Sequence, residues 1–481
     1  MNQILTLSGL AQGQLLREGE LSSEELVKLH IERIDAVNPS LNAVVEVLRE
    51  EALAAARAAD ERRRAGAALS PLDGVPFSIK DSIEVAGTVC TAGTMGYRAN
   101  ALSARDATLV GRLRAAGAIP LARTNLPDLL FAFESDNLIH GRTNNPYDLS
   151  RTPGGSSGGE SALISACGSP FGLGSDAAGS VRVPAHFCGI ASIKPTSGRL
   201  SRAGHVPPPG GWIEAVWQIG PMARHVDDLW ALMPILLGDD FEDATVVPMP
   251  YGDPREVPVD RLRIAFFTNN GIAQPDSDVE DVVRHAAEAL GARECRPPGI
   301  ERSLELEMKF LGPDGGAGIR QFLGSIGSTR THPLLEGWLA KYKGLDTSIG
   351  GFAGYWADLD RFRSDLHAFL SQFDVLISPV AAHAAVPHGT SIDEDIFPGF
   401  SYTMTHNLTG WPAAVVRCGQ TAGGLPIGVQ IAAHPWREGV ALAIARRLEE
   451  RFGGWQAAQP ERVISSFGAG SASNRKGRSR E

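Results

Sequence analysis

Cysteine and long apolar runs are both scarce in this 481-residue sequence. The five cysteines are widely separated and form no Cys-x-x-Cys pair, which excludes a disulfide framework and a thiolate metal site. Unpaired thiols favour a reducing, cytoplasmic compartment. The longest apolar run, from Leu229 to Leu237, contains Pro234 and is far shorter than the roughly 20 residues that cross a bilayer. No membrane-spanning segment is therefore expected.

Positive charge is also in deficit. The chain has 45 Lys and Arg residues against 55 Asp and Glu residues, a net charge of −10, and its only dense basic stretches are 62–64 and 475–480. This distribution argues against a nucleic-acid partner. The 12 histidines show no His-Glu-x-x-His or similar spacing, so no metal is expected. Apolar residues at 43% and charged residues at 21% exclude a disordered chain and indicate a globular protein.

The start of the chain is predicted to be helical. Ser22-x-x-Glu25 is a capping box, and the helix that it begins should end at Asn38-Pro39. A second helix is predicted over 50–64, where acidic residues come first and arginines last, as the helix dipole favours. Both helices are interpreted as scaffold.

Apolar runs that alternate with helical stretches predict a sheet in the rest of the chain. The predicted strands are 75–79, 118–122, 374–378 and 426–431, and the predicted helices are 108–116 and 438–451. Residues 239–260 and 296–360 are predicted to be less regular. The fold class is therefore α/β, with helices on both faces of a central sheet.

Two loops rich in glycine and serine carry the candidate chemistry. Gly154 to Gly159 reads Gly-Gly-Ser-Ser-Gly-Gly, a backbone that can turn sharply and approach other groups closely. An apolar helix-like run follows at once, which favours a buried, shaped loop over a flexible linker. The second loop runs from Gly174 to Ser180, so the hydroxyls of Ser156 and Ser180 can meet across the short helix between the loops.

Serine is a weak nucleophile without a neighbouring base. Lys80 ends the apolar run 75–79, and a lysine that leaves a buried strand loses solvation, which lowers its pKa and makes it a usable base. The alternative is a structural lysine paired with the neighbouring Asp81. The residues by themselves are compatible with both.

Three segments taken together resemble the amidase signature family: Lys80-Asp81, 152–159 and 174–185. The joint match is highly specific, and the resemblance extends over residues 5–455. Residues 156–200 are most similar to the fatty acid amide hydrolase-like members. The resemblance implies a single-domain α/β/α sandwich around a mixed, twisted sheet. Its implied parts are a domain over 1–465 with a helical part at 1–66, a signature core at 70–235 and a variable substrate-region insert at 296–360, then a disordered tail at 466–481.

The same resemblance implies a Ser–cis-Ser–Lys triad without cofactor or metal. Ser180 would be the nucleophile, Ser156 a proton shuttle in a cis peptide, and Lys80 a base that enters neutral. The implied oxyanion hole is formed by the backbone amides of Ala177, Ala178, Gly179 and Ser180. The implied supporting residues are Ser157, Asp176 and Arg182.

The sequence departs from the family's Thr-Asp-x-Gly-Gly-Ser pattern at two positions, Ser175 and Ala178. A positive φ at Ala178 would cost about 1 kcal/mol and misplace an amide, because its methyl group disfavours that conformation. The departure at Ala178 is therefore expected to affect the geometry of the oxyanion hole.

Four other interpretations fit parts of the sequence. An α/β-hydrolase elbow matches Gly-x-Ser-x-Gly at 154–158, but 146–153 has two prolines and does not read as the buried strand that such an elbow needs. A phosphate-binding loop lacks the Lys-Ser/Thr that should follow its last glycine. A partner-dependent amidotransferase A-type subunit is disfavoured by 204–219, which is rich in Pro and Trp. An inactive binding protein on the same fold is the fourth.

Substrate identity is indicated only by the aromatic residues. Those in the less regular segments could build a pocket or lid, and they are Trp212, Trp217, Phe310, Phe322, Trp338, Tyr342, Phe352, Tyr355 and Trp356. The sequence predicts a small apolar or aryl amide as substrate, with Trp212 and Trp217 in contact with it, and carbamates or esters as alternatives. The run 207–211 is predicted to be a mobile loop over the cleft. The family resemblance, and not the residues themselves, implies a homodimer.

Overall fold

The computed structural model describes residues 2–457. The predicted tail at 466–481 and the end of the predicted domain at 465 lie outside the described residues. Within 2–457, no helix combines the length and the apolar character needed to cross a bilayer.

The centre of the molecule is one eleven-stranded sheet. Its strands are Val44–Val47 (β1), Pro76–Lys80 (β2), Ile119–Thr124 (β3), Phe171–Asp176 (β4), Ala191–Lys194 (β5), Gln218–Ala223 (β6), Ile264–Phe266 (β7), Arg293–Glu294 (β8), Val375–Pro379 (β9), Ala413–Gln420 (β10) and Pro426–Ala433 (β11). Their spatial order is β1-β3-β2-β4-β6-β5-β10-β11-β9-β7-β8. The sheet is mixed: β2 pairs in parallel with β3 and β4, whereas β4 and β6 are antiparallel.

Helices cover both faces of this sheet. The described residues contain Gly9–Glu18 (α1), Ser23–Leu41 (α2), Arg49–Arg64 (α3), Thr108–Ala115 (α4), Gly158–Ser165 (α5), Arg182–Cys188 (α6), Val226–Leu236 (α7), Ser277–Ala289 (α8), Ser303–Leu311 (α9), Ala317–Ser325 (α10), Pro333–Lys341 (α11), Ile349–Leu370 (α12), Ser401–Leu408 (α13) and Glu438–Phe452 (α14). Successive side chains of a strand point to opposite faces. In β9, Val375 and Ile377 belong to one hydrophobic cluster with residues of α8, whereas Leu376 belongs to another with residues of α9, α12 and α13. The predicted α/β sandwich is thus confirmed.

Most predicted elements are present within a few residues of their predicted bounds. The capping box forms, because the Ser22 hydroxyl accepts from the Glu25 amide and the Glu25 carboxylate accepts from the Ser22 amide. The predicted end at Asn38-Pro39 is wrong. Helix α2 continues to Leu41 because Pro39 lies in its last turn, where the missing amide costs only one hydrogen bond, and the helix stops at Asn42 in the left-handed conformation (φ 49°).

The prediction of an irregular segment at 296–360 is also wrong. Helices α9, α10 and α11 lie within it and α12 begins in it. Glycines with positive φ, including Gly315, Gly316 and Gly327, interrupt this segment and keep α10 short. The sequence pattern was misleading because α9, α10 and α11 have only nine residues each, which is little more than two turns.

Candidate active site

The two glycine-serine loops meet beside the ends of β2 and β4. Ser156 comes just before α5, and Ser180 lies between β4 and α6. The Ser157 amide donates to the Ser180 carbonyl at 3.1 Å, which ties the loops together. Ser156 and Ser180 are 1% and 8% exposed, and both line one cavity. The predicted cis peptide is present between Gly155 and Ser156.

Position 155 requires glycine because another part of the chain packs directly against its α-carbon. A Cβ atom there would collide with main-chain atoms of Ala132 and Glu134. Any side chain would therefore push the loop, and Ser156 with it, away from its neighbours.

Lys80 reaches Ser156 from the last position of β2. Its Nζ lies 2.6 Å from Ser156 Oγ and 3.1 Å from Ser175 Oγ. The side chain is 0% exposed, and burial lowers the pKa of Lys80 to about 7 against the opposing charges of Asp176 and Glu160. Burial also raises the pKa of Glu160 to about 8, although Ser78 and Thr124 donate hydrogen bonds to it. Near neutral pH the amine is thus partly free of its proton.

The alternative role for Lys80, an ion pair with Asp81, does not form. The Asp81 carboxylate accepts from Arg123 Nε at 2.9 Å and also from Thr91, and both Asp81 and Arg123 are buried. Arg123 therefore neutralises Asp81 and leaves the Lys80 amine to the serine hydroxyls.

Asp176 and Arg182 brace the loop that carries Ser180. Arg182 Nε and Nη2 lie 2.9 Å and 2.8 Å from the two Asp176 oxygens. Burial alone would raise the pKa of Asp176, but the Arg182 guanidinium and the Asn407 amide hold it well below its usual range. The same guanidinium donates to the Thr403 carbonyl at 2.8 Å and to Gln430 Oε1 at 2.7 Å. One buried cation thus fixes this loop against α13 and β11.

We expect Arg182→Met to lower the free energy of unfolding by about 3–5 kcal/mol, because it leaves the Asp176 charge buried and unpaired. Urea unfolding of both proteins measures the loss. The matched control is Arg49→Met, which removes the largely exposed Arg49–Asp35 pair and should change stability little. A loss for Arg182→Met as small as that of the control would contradict the bracing role.

The backbone amides at the Ser180 loop are not equivalent. In the described chain, those of Ala177, Ala178 and Ser180 donate to no protein group, whereas the Gly179 amide donates to Asp176 Oδ1 at 2.8 Å. The structure therefore does not offer the Gly179 amide to a bound anion. Ala178 does not adopt positive φ; that conformation falls on Gly179 (φ 127°). The alanine at 178 thus carries no backbone penalty.

An apolar cavity of about 410 Å³ opens in front of both serines. Trp212 and Trp217 line it, as predicted, together with Phe322 and Trp338. Other lining side chains are Leu129, Leu130, Phe131, Phe133, Ile213, Leu311 and Ile319. Of the remaining aromatic candidates, Phe310 and Tyr342 are buried in the core instead. Among the described residues that line the cavity, none is Lys or Arg.

Several residues of the site were given no role in the sequence analysis. Asn407, Thr403 and Gln430 contact Asp176 or Arg182 from elements more than 200 residues away in the chain. Ser175 and His205 extend the hydrogen-bonded group at Lys80. Of these, only Ser175 could have been found, because it stands where the family pattern has Thr.

Fold and site together define the class of protein. A buried amine contacts a serine hydroxyl, and a second serine lies beside it in an apolar cavity. This arrangement is suited to hydrolysis. No strand leads directly into Ser156, as an α/β-hydrolase elbow would require. The family model described as Amidase matches residues 25–442. The chain therefore belongs to the amidase signature family of carbon–nitrogen hydrolases, as the resemblance predicted.

Individual relatives span nearly the whole chain. The A-type subunit of the glutamyl-tRNA(Gln) amidotransferase from Chloroflexus aggregans is 33% identical over 96% of this chain and 99% of its own length. Human fatty-acid amide hydrolase 2 is 31% identical over 94% of this chain and 90% of its own. A solved fatty acid amide hydrolase superposes with a TM-score of 0.86 at 26% identity, covering 94% of this chain and 86% of that one. Relatives with different activities thus have similar sequence identity to this chain.

Proposed function

We propose that this protein hydrolyses the carbon–nitrogen bond of small apolar or aryl amides through Ser180, Ser156 and Lys80. The single observation that carries the proposal is the 2.6 Å contact between Lys80 Nζ and Ser156 Oγ, both of which belong to buried side chains. An uncharged amine at that distance can take a proton from the hydroxyl. No disulfide forms among the described cysteines, which supports the cytoplasm as its location.

In the proposed reaction, Ser180 Oγ attacks the substrate carbonyl carbon and gives its proton to Ser156, whose own proton passes to Lys80 Nζ. The carbonyl oxygen becomes an oxyanion, which the free amides of Ala177, Ala178 and Ser180 stabilise. Collapse of this intermediate breaks the carbon–nitrogen bond. The proton returns through Ser156 to the departing amine, and the acyl group stays on Ser180. Water then attacks the acyl-enzyme along the same relay and releases the acid.

The cavity supports an apolar acyl or aryl group as the recognised part of the substrate. Apolar side chains, including those of leucine, isoleucine, phenylalanine and tryptophan, form most of its wall. Glutamine, the ammonia donor of an amidotransferase, carries an α-carboxylate, and the described lining offers no cationic side chain to pair with it. A stand-alone amidase therefore fits this cavity better than an amidotransferase subunit. Carbamates and esters present the same carbonyl to the same groups.

The proposal is tested with a panel that shares one apolar acyl group: an amide, an anilide and an ester, plus a matching carbamate and L-glutamine. We expect turnover of the anilide or amide and none of L-glutamine by the isolated chain. Glutamine hydrolysis with no turnover of the apolar compounds would favour the amidotransferase reading. Failure of a fluorophosphonate to label the protein would favour an inactive binding protein.

The loop 207–211 is expected to control substrate range rather than folding. Pro207, Gly210 and Gly211 line the cavity, and Trp212, just after them, donates from its indole to the Phe310 carbonyl at 2.9 Å. Shortening the loop by two residues should change relative kcat/KM values across the panel by about tenfold or more, because it removes one wall of the cavity. Unchanged ratios, with an unchanged Tm, would contradict this role.

A further inference from the structure

His205 is a buried imidazole bonded to the hydroxyl group that contacts the Lys80 amine. Its Nε2 lies 3.1 Å from Ser175 Oγ and 3.1 Å from Ser82 Oγ, and its Nδ1 lies 3.1 Å from the Pro207 carbonyl oxygen. The ring also packs against Trp217, with centroids 4.6 Å apart. Each nitrogen of the ring therefore has a protein partner.

The partners determine where the hydrogen of this imidazole lies. A carbonyl oxygen can only accept, so Nδ1 carries the hydrogen and donates it to Pro207. Burial lowers the pKa of His205 to about 3 in spite of that bond, and the charges of Lys80 and Arg202 act in the same direction as burial. The ring is neutral at working pH, and Nε2 keeps its lone pair. Nε2 can therefore only accept a hydrogen bond.

The direction of one hydrogen bond sets the direction of the next. Nε2 is shared by the hydroxyls of Ser82 and Ser175, both 3.1 Å away. Because Ser175 Oγ turns a lone pair toward Lys80 Nζ at 3.1 Å, its own hydrogen is directed at His205. A neutral amine has two hydrogens and one lone pair. The hydrogens have acceptors in Ser175 Oγ and, at 3.5 Å, the Ser175 carbonyl. The lone pair is then left for the hydroxyl of Ser156 at 2.6 Å.

We propose that His205 is a positioning residue that acts through Ser175 to aim the lone pair of Lys80 at Ser156. The inference rests on the proposed function, because it assumes that Lys80 is the base. The charged or titratable groups that face Lys80 are Asp176 on β4 and Glu160 on α5, and Arg202 faces His205. A substitution at His205 leaves these three in place.

The test is the pH dependence of the rate at which a fluorophosphonate labels Ser180 in the full chain, with and without His205→Leu. The labelling plateau should fall about 10- to 100-fold, the effect of losing one buried hydrogen bond. The midpoint of the acidic limb should move to lower pH, because a released Ser175 hydroxyl can turn and donate to the Nζ lone pair, which stabilises the neutral amine. A merely structural role would admit water, restore solvation of the ammonium and move the midpoint upward.

Three further variants keep the test sharp. Ser82→Ala removes the other hydroxyl on Nε2 and should keep the wild-type profile. His205→Gln supplies a carbonyl that can accept from Ser175 and should recover most of the lost rate. Ser175→Ala removes the atom through which His205 acts, so combining it with His205→Leu should cost little more than either change alone. It also removes an oxygen that accepts from Nζ and favours the ammonium form, so its midpoint should likewise move downward.

The inference is overturned if His205→Leu keeps the wild-type rate, if its midpoint moves upward, or if Ser82→Ala has the same effect as His205→Leu. Should His205→Leu fail to fold, the downward shift in Ser175→Ala and the recovery in His205→Gln decide the matter by the same criteria. Absence of label on Ser180 in the wild-type chain would instead contradict the proposed function, so the two failures are distinguishable.

Discussion

Ser180→Ala should lower kcat/KM for an apolar anilide by about 10⁴-fold or more, because removal of the nucleophile leaves only substrate binding and the amides around the oxyanion. The same variant should no longer react with a fluorophosphonate. Ser180 is the hydroxyl that lies next to the free amides of Ala177 and Ala178 and still faces the cavity. Steady-state kinetics and mass spectrometry of the labelled protein measure the two effects.

Ser169→Ala is the matched control for this substitution. Ser169 is also buried, but its hydroxyl donates to the Phe171 carbonyl at 2.7 Å and does not line the cavity. Its loss should leave both turnover and labelling near the wild-type level. If Ser180→Ala still carried the label, and the label lay on Ser156, then Ser156 would be the nucleophile and the proposed roles of the two serines would be wrong.

Lys80→Met should lower kcat by about 10²–10⁴-fold, the usual contribution of a general base. Methionine has a similar volume and no proton acceptor of comparable strength, so packing in the buried site is kept while the base is lost. Ser156 would then have no acceptor for the proton that it receives from Ser180. Turnover of the anilide at a pH above the wild-type midpoint gives the plateau value.

A second buried lysine provides the control. Burial also lowers the pKa of Lys194 to about 7, but its Nζ donates to the Pro195 carbonyl at 2.9 Å and lies outside the cavity lining. Lys194→Met should therefore keep the acidic limb of the wild-type pH profile, whatever it costs in stability. Equal losses in the two variants, with equal changes of the pH profile, would mean that the effect comes from removing any buried lysine.

The sequence was most informative where local pattern and local chemistry coincide. The apolar run before Lys80 predicted a buried strand with the amine at its end, and β2 ends there. The capping box at Ser22 and the dipole pattern over 50–64 predicted α2 and α3 because both depend on neighbours in the chain. The roles of Ser156, Ser180 and Lys80 came from the family resemblance, and they stay predictions until the variants are made.

Contacts between distant parts of the chain could not be predicted in this way. Gln430 reaches Arg182 because β11 packs beside α6, and Asn407 reaches Asp176 from α13. No periodicity in the local sequence predicts such a contact. His205 is the clearest case. Its neighbours in sequence are Gly204 and Val206, whereas its hydrogen-bond partners are Ser82, just after β2, and Ser175, near the end of β4.

Side-chain and backbone detail also corrected one expectation at the site itself. The concern that Ala178 spoils the anion-binding loop assumed that this residue takes positive φ, but Gly179 takes it instead. A Cβ atom at Gly179 would collide with Thr403, so glycine is required there on two grounds. Glycine adopts positive φ more readily than alanine, so the conformations at 178 and 179 agree with the residue types there.

The most direct test of the proposed mechanism is the rate of fluorophosphonate labelling of Ser180 in the wild-type chain, followed from about pH 5 to about pH 9. Since the pKa of Lys80 lies at about 7 and only the neutral amine accepts a proton, labelling should rise through a midpoint near pH 7 and stay high above it. Below that midpoint the ammonium form accumulates and the reaction should stop. A rate that does not change over this range, or label on a residue other than Ser180, would contradict the mechanism.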